Sequence, residues 1–215
     1  MPRPVDPERH RARRLHIIDA GLTVIARHGY AGATTAAICR EAGIGSGTFF
    51  HYFLTKDSLV VAILEEGAGE TREFFDAQHG RSDASEVVFD WVHRSLADLG
   101  DPRAAGFIAA VSGLVGRDDI AAALAEEDRI VRAGLTHWLA AAQRADTVRN
   151  DVSADRLARW VMLMVDGFAG QVGASTGFDA AAEQPLLFEA VGSLLAGPGG
   201  HPVGTRRPPG RSGRP

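Results

Sequence analysis

The hydrophobic positions along the chain repeat at helical spacing almost throughout. In the first segment, apolar residues step by three and four positions at Leu15, Ile18, Leu22 and Ile25, and Gly29 then ends the pattern. The same periodicity recurs to the end of the hydrophobic part of the chain, and no stretch alternates as strands do. The pattern predicts helices at about 8–28, 35–42, 46–52, 56–77, 84–99, 102–115, 118–144, 153–173 and 184–196. The predicted fold class is therefore all-α, a three-helix N-terminal head followed by a helical bundle.

The two short helices near residue 40 are spaced as a helix-turn-helix. Ile38, Ile44 and Phe49 fall where two crossing helices share a buried face, and Cys39 is small where they approach most closely. Gly43 stands at the end of the first helix, where a left-handed backbone conformation is needed and glycine adopts it without a Cβ penalty. This spacing predicts a duplex-DNA-binding unit, with an ordinary helical hairpin as the alternative.

Capping residues support the same boundaries. Thr34 or Thr35 supplies a hydroxyl for the start of the first motif helix, and Thr55 precedes Lys56 and Asp57 at the start of the next long helix.

The charge distribution is uneven along the chain. The net charge is −4, but residues 1–56 carry eight Arg/Lys against four Asp/Glu, whereas residues 57–200 carry eleven against twenty-three. The last fifteen residues add four arginines and no acid. A basic end on an acidic body directs the head towards phosphate, although solvated helix faces alone also explain an acidic body.

Composition also bounds the cellular setting. The single cysteine, Cys39, cannot form an internal disulfide, which is typical of a reducing cytoplasm, and we expect a buried small side chain rather than a redox sensor. No run approaches the roughly 18 apolar residues of a membrane span. Arginines precede an apolar stretch at the N-terminus, but His16, Asp19 and Arg27 interrupt it, so we reject a signal peptide. The expected location is cytoplasmic.

One run of the sequence resembles the N-terminal domain of tetracycline-repressor (TetR) family regulators. It begins at Gly29-Tyr30 and continues through Thr34-Thr35-Ala-Ala-Ile-Cys-Arg-Glu-Ala-Gly-Ile-Gly-Ser-Gly-Thr-Phe-Phe-His-Tyr-Phe-Leu-Thr-Lys-Asp. The close match covers about residues 15–64, and beyond it only the all-helical layout and the length are similar. The resemblance implies a homodimeric repressor that a small-molecule effector releases from a pseudo-palindromic operator. Activation, or a dual role on the same scaffold, is the alternative.

Helix-turn-helix proteins place the second motif helix in the major groove and hold phosphates around it. The candidate DNA-binding residues are short, polar or aromatic and lie at or near helix starts: Thr35, Ser46, Gly47, Thr48, His51, Tyr52 and Lys56. For several of them a structural role is the alternative, since Thr35 can cap, Tyr52 can pack and His51 can be solvated.

The sequence departs from the family pattern in three places. Gly45 replaces a usual capping Ser, Ser46 replaces a frequent Lys, and Phe50 replaces a Tyr that donates to phosphate. The missing Lys should flatten the salt dependence of DNA binding by about one counterion. Basic residues of the N-terminal segment can compensate, with solvated side chains as the alternative: Arg3, Arg9, Arg11 and Arg13.

The predicted helix at 153–173 is apolar on two sides. One stripe contains Leu157, Val161, Met164 and Phe168, and a neighbouring stripe contains Trp160, Leu163 and Gly167. A helix that is apolar nearly all round is buried on both sides, either inside a monomer core or between two copies. We favour the homodimer, largely on the family resemblance.

Helical bundles bind small molecules between helices, in apolar cavities with a few polar groups. The candidate ligand-binding residues of the body are Trp91, Phe107, Trp138, Met162, Asp166 and Phe168. Plain core packing is the alternative for each. A buried Asp166 would favour a cationic ligand, although capping or a hydrogen bond between helices would also explain it.

Catalytic signatures are missing from the sequence. It contains no phosphate loop and no Glu-x-x-His pair, and its histidines lack zinc spacing, so we expect neither an enzyme nor a cofactor or metal. The predicted organisation is a flexible basic arm (1–7), a DNA-binding domain (8–56), a helical effector-binding and dimerisation domain (57–197), and a disordered Gly/Pro/Arg tail (198–215).

Overall fold

The computed structural model describes residues 6–174 and 177–197, and these fold into helices with no strand among them. The all-α prediction is therefore confirmed. The helices are α1 (Pro7–Gly32), α2 (Thr35–Glu41), α3 (Ser46–Tyr52), α4 (Lys56–Ala77), α5 (Ala84–Asp98), α6 (Ala104–Ser112), α7 (Asp118–Arg144), α8 (Ala154–Ala174) and α9 (Ala180–Ala196). The predicted disordered tail, most of the predicted arm and Arg3 lie outside the described residues.

Most predicted boundaries agree with the structure to within a residue or two, but α1, α6 and α9 differ. α1 extends to Gly32, with Gly29 interrupting it at φ 66°. α6 begins at Ala104 rather than at Pro102, because Asp101 and Pro102 form a turn in which the Asp101 carboxylate accepts from Arg103 N–H at 2.8 Å.

The start of α9 was predicted four residues too late. Asp179 caps the helix by accepting from the N–H groups of Ala181 and Ala182, so Pro185 lies inside the helix rather than near its start. A strong cap upstream outweighs the helix-breaking tendency of a proline at this place.

Two hydrophobic clusters hold the described residues together. One is the core of the body, built from α5, α7, α8 and α9 with the end of α4. The other is the core of the head, but it also contains Leu59 and Val60 of α4 together with Val111 of α6, Leu114 of the segment after it and Ile120 of α7. The predicted division at residue 56 therefore cuts through a shared core, and α4 and α6 belong mechanically to both parts.

The contact between α6 and α1 is unusually close. A Cβ added to Gly106 of α6 would lie 2.1 Å from the carbonyl oxygen of Ala26 in α1, so the two backbones touch directly. Arg103 strengthens this contact by donating to Asp19 at 2.6 Å and to Thr23 at 3.1 Å, both in α1.

The two apolar stripes of α8 have different environments. Leu157, Val161 and Phe168 are buried against the body core, as the first stripe predicts, whereas Trp160 and Leu163 of the second stripe are 46% and 57% exposed. The single chain thus buries α8 on one side and leaves the other apolar side open to water. Among the described helices, none combines the length and the hydropathy that crossing a membrane requires.

Candidate functional site

The helix-turn-helix is built as its sequence predicts. Thr34 caps α2 by accepting from Ala37 N–H at 3.1 Å, which decides between the two candidate caps. Gly43 adopts φ +61° in the turn, and Ile38 and Phe49 are completely buried between the helices. Cys39 is buried beside them, as expected for a packing residue.

The start of α3 presents a continuous polar surface. Ser46, Gly47, Thr48 and His51 are all exposed, and within the described part of the chain none of them donates or accepts a side-chain hydrogen bond. Gly45 caps α3 without a side-chain bond, so the backbone N–H groups of Ser46 and Gly47 stay open to a ligand. This surface has the shape and chemistry of a groove-reading helix.

The remaining α2 and α3 candidates are less exposed. Thr35 is half-buried and follows the capping residue directly, which leaves its hydroxyl at a helix N-terminus. Tyr52 is half-buried, and its ring packs against His10 of α1 with the ring centres 4.6 Å apart. Tyr52 therefore joins α3 to the first turn of α1, in addition to any contact with DNA.

Lys56 is engaged inside the protein. Its Nζ donates to the carbonyl oxygen of Tyr30 at 2.6 Å and lies 3.9 Å from the centre of the Tyr30 ring. Burial lowers the pKa of this ammonium, and the charge of Arg117 lowers it further. An ammonium has three donors, so the bond to Tyr30 leaves others for a phosphate.

A cluster that sequence reasoning missed lies beside Lys56. Tyr30 at the end of α1 and Arg117 before α7 both donate to the carboxylate of Asp57 in the first turn of α4. The hydrogen bond from Tyr30 lowers the pKa of Asp57, and Arg117 lowers it further. No local pattern could indicate this cluster, because Arg117 follows Asp57 by sixty residues.

Basic side chains of α1 flank the helix-turn-helix. Arg9 and Arg13 border a shallow depression with His16, whose Nε2 lies 2.9 Å from the carbonyl oxygen of Ala42 in the turn. Arg9, Arg11 and Arg13 are exposed, and through Arg9 and Arg13 α1 offers cationic groups beside the motif.

The body contains a cavity of about 430 Å³ between α4, α5, α6, α7 and α8. It brings together four of the six predicted ligand-binding residues: Trp91, Phe107, Met162 and Asp166. Phe168 lies outside it, buried in the body core against Phe178. Trp138 lines a different cavity of about 340 Å³.

The charged residues that line the cavity of about 430 Å³ are mainly acidic. Asp166 faces the water of the cavity, yet the surrounding protein desolvates it and raises its pKa to about 6, and the charge of Asp128 adds to the shift. Burial also raises the pKa of Glu127, and the neighbouring carboxylates raise it further. The carboxylates of this cavity therefore repel one another.

Comparison with known proteins shows which regulators the chain resembles. The family model described as "Bacterial regulatory proteins, tetR family" matches residues 17–63, which cover most of α1, both motif helices and the start of α4. The head of the chain is therefore similar to the DNA-binding domain of TetR-family regulators. The proteins that it resembles are DNA-binding transcriptional regulators, not enzymes.

The similarity to TetR-family proteins extends beyond the head. The chain is 27% identical over 189 residues to the HTH-type transcriptional repressor Rv1474c of Mycobacterium tuberculosis, covering 86% of this chain and 91% of that protein. A TetR transcription regulator from Haloarcula marismortui has the same fold, with a TM-score of 0.75 and 18% identity over 86% of this chain and 96% of that one. FadR from Bacillus subtilis, solved with stearoyl-CoA, has a TM-score of 0.67 and 21% identity over 84% of this chain and 98% of its own.

Proposed function

We propose that this chain is a homodimeric repressor of the TetR family that holds a pseudo-palindromic operator through two copies of α3 and releases it when a small molecule fills the cavity of the body. The observation that carries the proposal is the exposed, unbonded polar surface at the start of α3, mounted on a fully packed helix-turn-helix.

The DNA contacts divide by chemistry. Ser46, Thr48 and His51 reach base edges or nearby phosphates from the exposed side of α3, while Gly47 lets the backbone approach the groove closely. Thr35 and Lys56 hold phosphate at the N-termini of α2 and α4, where free backbone N–H groups assist them. Arginines of α1 add sequence-independent attraction and compensate for the missing lysine at Ser46.

Two-fold symmetry comes from α8 and α9. Trp160, Leu163 and Leu186 are 46%, 57% and 60% exposed, an unusual display of large apolar side chains on neighbouring helices of one chain. Gly167 and Gly170 on the same side of α8 leave open space above the helix. Pairing this surface with its own copy would form a four-helix interface and remove the apolar area from water.

The cavity and the head share two helices, which gives a route for release. Phe107 and Val111 of α6 line the cavity, while Gly106 of the same helix packs on α1. Leu64 and Thr71 of α4 also line it, and α4 begins in the head core. A ligand that binds more tightly when α6 or α4 is shifted lowers the affinity for the operator. The loss equals the difference between the ligand's binding free energies for the two conformations, typically about 1–3 kcal/mol.

We favour repression over activation as the effect on transcription. The M. tuberculosis relative supports this choice, because its name contains the word repressor. Repression and activation are distinguished with a reporter gene under a promoter that the protein binds. Expression should rise when the regulator gene is deleted. A fall in expression on deletion would instead identify an activator.

The α3 surface is tested with an operator selected from a randomised duplex library by the purified protein. Ser46→Ala and Thr48→Ala should each weaken binding to that operator by roughly 5- to 100-fold, the effect of losing about 1–3 kcal/mol of contact. Ser82→Ala, an equally exposed substitution in the loop between α4 and α5, is the matched control and should bind as the wild type does. Wild-type binding by both α3 variants would remove α3 from the interface.

A further inference from the structure

The cavity of the body carries more negative charge than its surroundings neutralise. Four carboxylates from three helices line it: Asp98 of α5, Glu127 and Asp128 of α7, and Asp166 of α8. Among the described lining residues Arg94 is the one permanent cation, and it is already paired with Glu70 at 3.3 Å and lies 4.0 Å from Asp98. Its charge is therefore shared between α4 and α5 and is not free to neutralise the other three acids.

The neighbouring arginines of α7 and α8 are also occupied. Arg129 is bonded to Glu126 at 2.6 Å, and Arg132 is bonded to Asp155 at 2.7 Å. Arg159 pairs with the same Asp155 at 3.0 Å. Each arginine beside the cavity thus has a carboxylate partner outside it.

Glu127, Asp128 and Asp166 have no ion pair and no hydrogen bond to any residue that the structure describes. Unpaired carboxylates on facing helices are costly, because each raises the energy of the others and because the protein partly desolvates Glu127 and Asp166. An occupant with positive charge would relieve both effects.

The rest of the lining is apolar and aromatic. Trp91 is a buried side chain that borders the cavity, and Phe107 faces it from α6, with Leu64 and Val131 beside them. Aromatic faces attract cations as well as apolar groups. A volume of about 430 Å³ lies in the range of pockets for compact organic molecules.

We infer that the effector of this regulator is a lipophilic organic cation, whose positive charge lies among Glu127, Asp128 and Asp166 and whose apolar body packs against Trp91 and Phe107. The inference rests on the proposed function, because it names the chemical class of that function's ligand. An acyl anion such as the stearoyl-CoA held by the B. subtilis FadR would add negative charge to this lining, so the shared fold does not extend to a shared ligand class.

Two pairs of probes of similar shape and opposite charge test the class. Tetraphenylphosphonium is compared with tetraphenylborate, and dodecyltrimethylammonium with dodecanoate below its micelle concentration. Binding to the full-length protein is followed by calorimetry and by tryptophan fluorescence, since Trp91 borders the cavity. We expect at least one cation to bind at least roughly tenfold more tightly than its anionic partner, a difference of about 1.4 kcal/mol.

Charge-removing variants place the cation in the cavity. Glu127→Gln and Asp166→Asn should each weaken cation binding by roughly tenfold or more, since each removes a charge that faces the cation. The same variants should melt at a higher temperature than the wild type without ligand, because each removes repulsion. Glu73→Gln, an exposed position of α4 outside the cavity, is the matched control and should change neither quantity.

Equal or tighter binding of the anions, or unchanged cation affinity in both cavity variants, would overturn the inference. The operator selection is a separate measurement. If the protein selects an operator that dodecanoate releases and neither cation does, the proposed repressor stands and the cationic class is wrong. If no operator is selected while tetraphenylphosphonium binds in a Glu127-dependent way, the DNA function fails and the ligand class stands.

Discussion

The contact between Gly106 and Ala26 offers the sharpest test of how the body is joined to the head. In Gly106→Ala the new Cβ would lie 2.1 Å from the Ala26 carbonyl oxygen and 2.9 Å from its carbonyl carbon. An ordinary carbon–oxygen contact is about 3.3 Å, so α6 and α1 must separate by roughly 1 Å. The obstructing atoms belong to a helix backbone and cannot turn aside as a flexible side chain would.

Forced separation of two packed helices typically costs about 1–3 kcal/mol. Gly67→Ala in α4 is the matched control, because its Cβ meets nothing within 4 Å and it gains the same helix propensity of up to about 1 kcal/mol. At roughly 2–4 °C per kcal/mol for a chain of this size, Gly106→Ala should melt about 2–12 °C below Gly67→Ala.

The same substitution should act on DNA binding, because α1 carries the head. Operator affinity should fall several-fold in Gly106→Ala and stay unchanged in Gly67→Ala, as measured by fluorescence anisotropy with the selected operator. If Gly106→Ala melts at or above the temperature of Gly67→Ala and binds the operator as the wild type does, α6 does not press on α1 and the proposed route of release is wrong.

Three further predictions concern other contacts. Arg117→Ala should lower the free energy of unfolding by no more than about 1 kcal/mol at pH 7, since its partly exposed bond to Asp57 is screened by water. Folding lowers the pKa of Asp57, so the loss of stability in Arg117→Ala should shrink as the pH falls below about 4. A loss that persists in urea titrations at acid pH would contradict the bond between Arg117 and Asp57. Leu163→Asp should give monomers of 22.8 kDa by light scattering, and an intact dimer would exclude the α8 surface as the interface. Thr55→Ala removes the capping box with Ser58 and should cost about 1 kcal/mol in urea unfolding, so an unchanged midpoint would show that the cap is dispensable.

The cavity illustrates why some site residues were predictable and others were not. Large apolar residues of the body all have the same hydrophobic signal, so the sequence could not separate Phe107, which faces the cavity, from Phe168, which packs in the core. Which of them borders empty space depends on helix rotation and on the shape left between helices. The acid at Asp166 was recognisable as unusual, but its acidic neighbours became visible only when α5, α7 and α8 were brought together.

Local sequence features are enough to predict the helices of the head and the turn between them. Each depends on local physics: helical periodicity, a hydroxyl at Thr34 that caps α2, and a glycine at position 43 that takes a positive φ. Three features follow from the folded arrangement alone: α4 and α6 share the head core, Arg117 bonds to Asp57, and three unpaired carboxylates face one cavity. These features join residues far apart in the chain, and their energies depend on distance and burial, which periodicity and local composition do not contain.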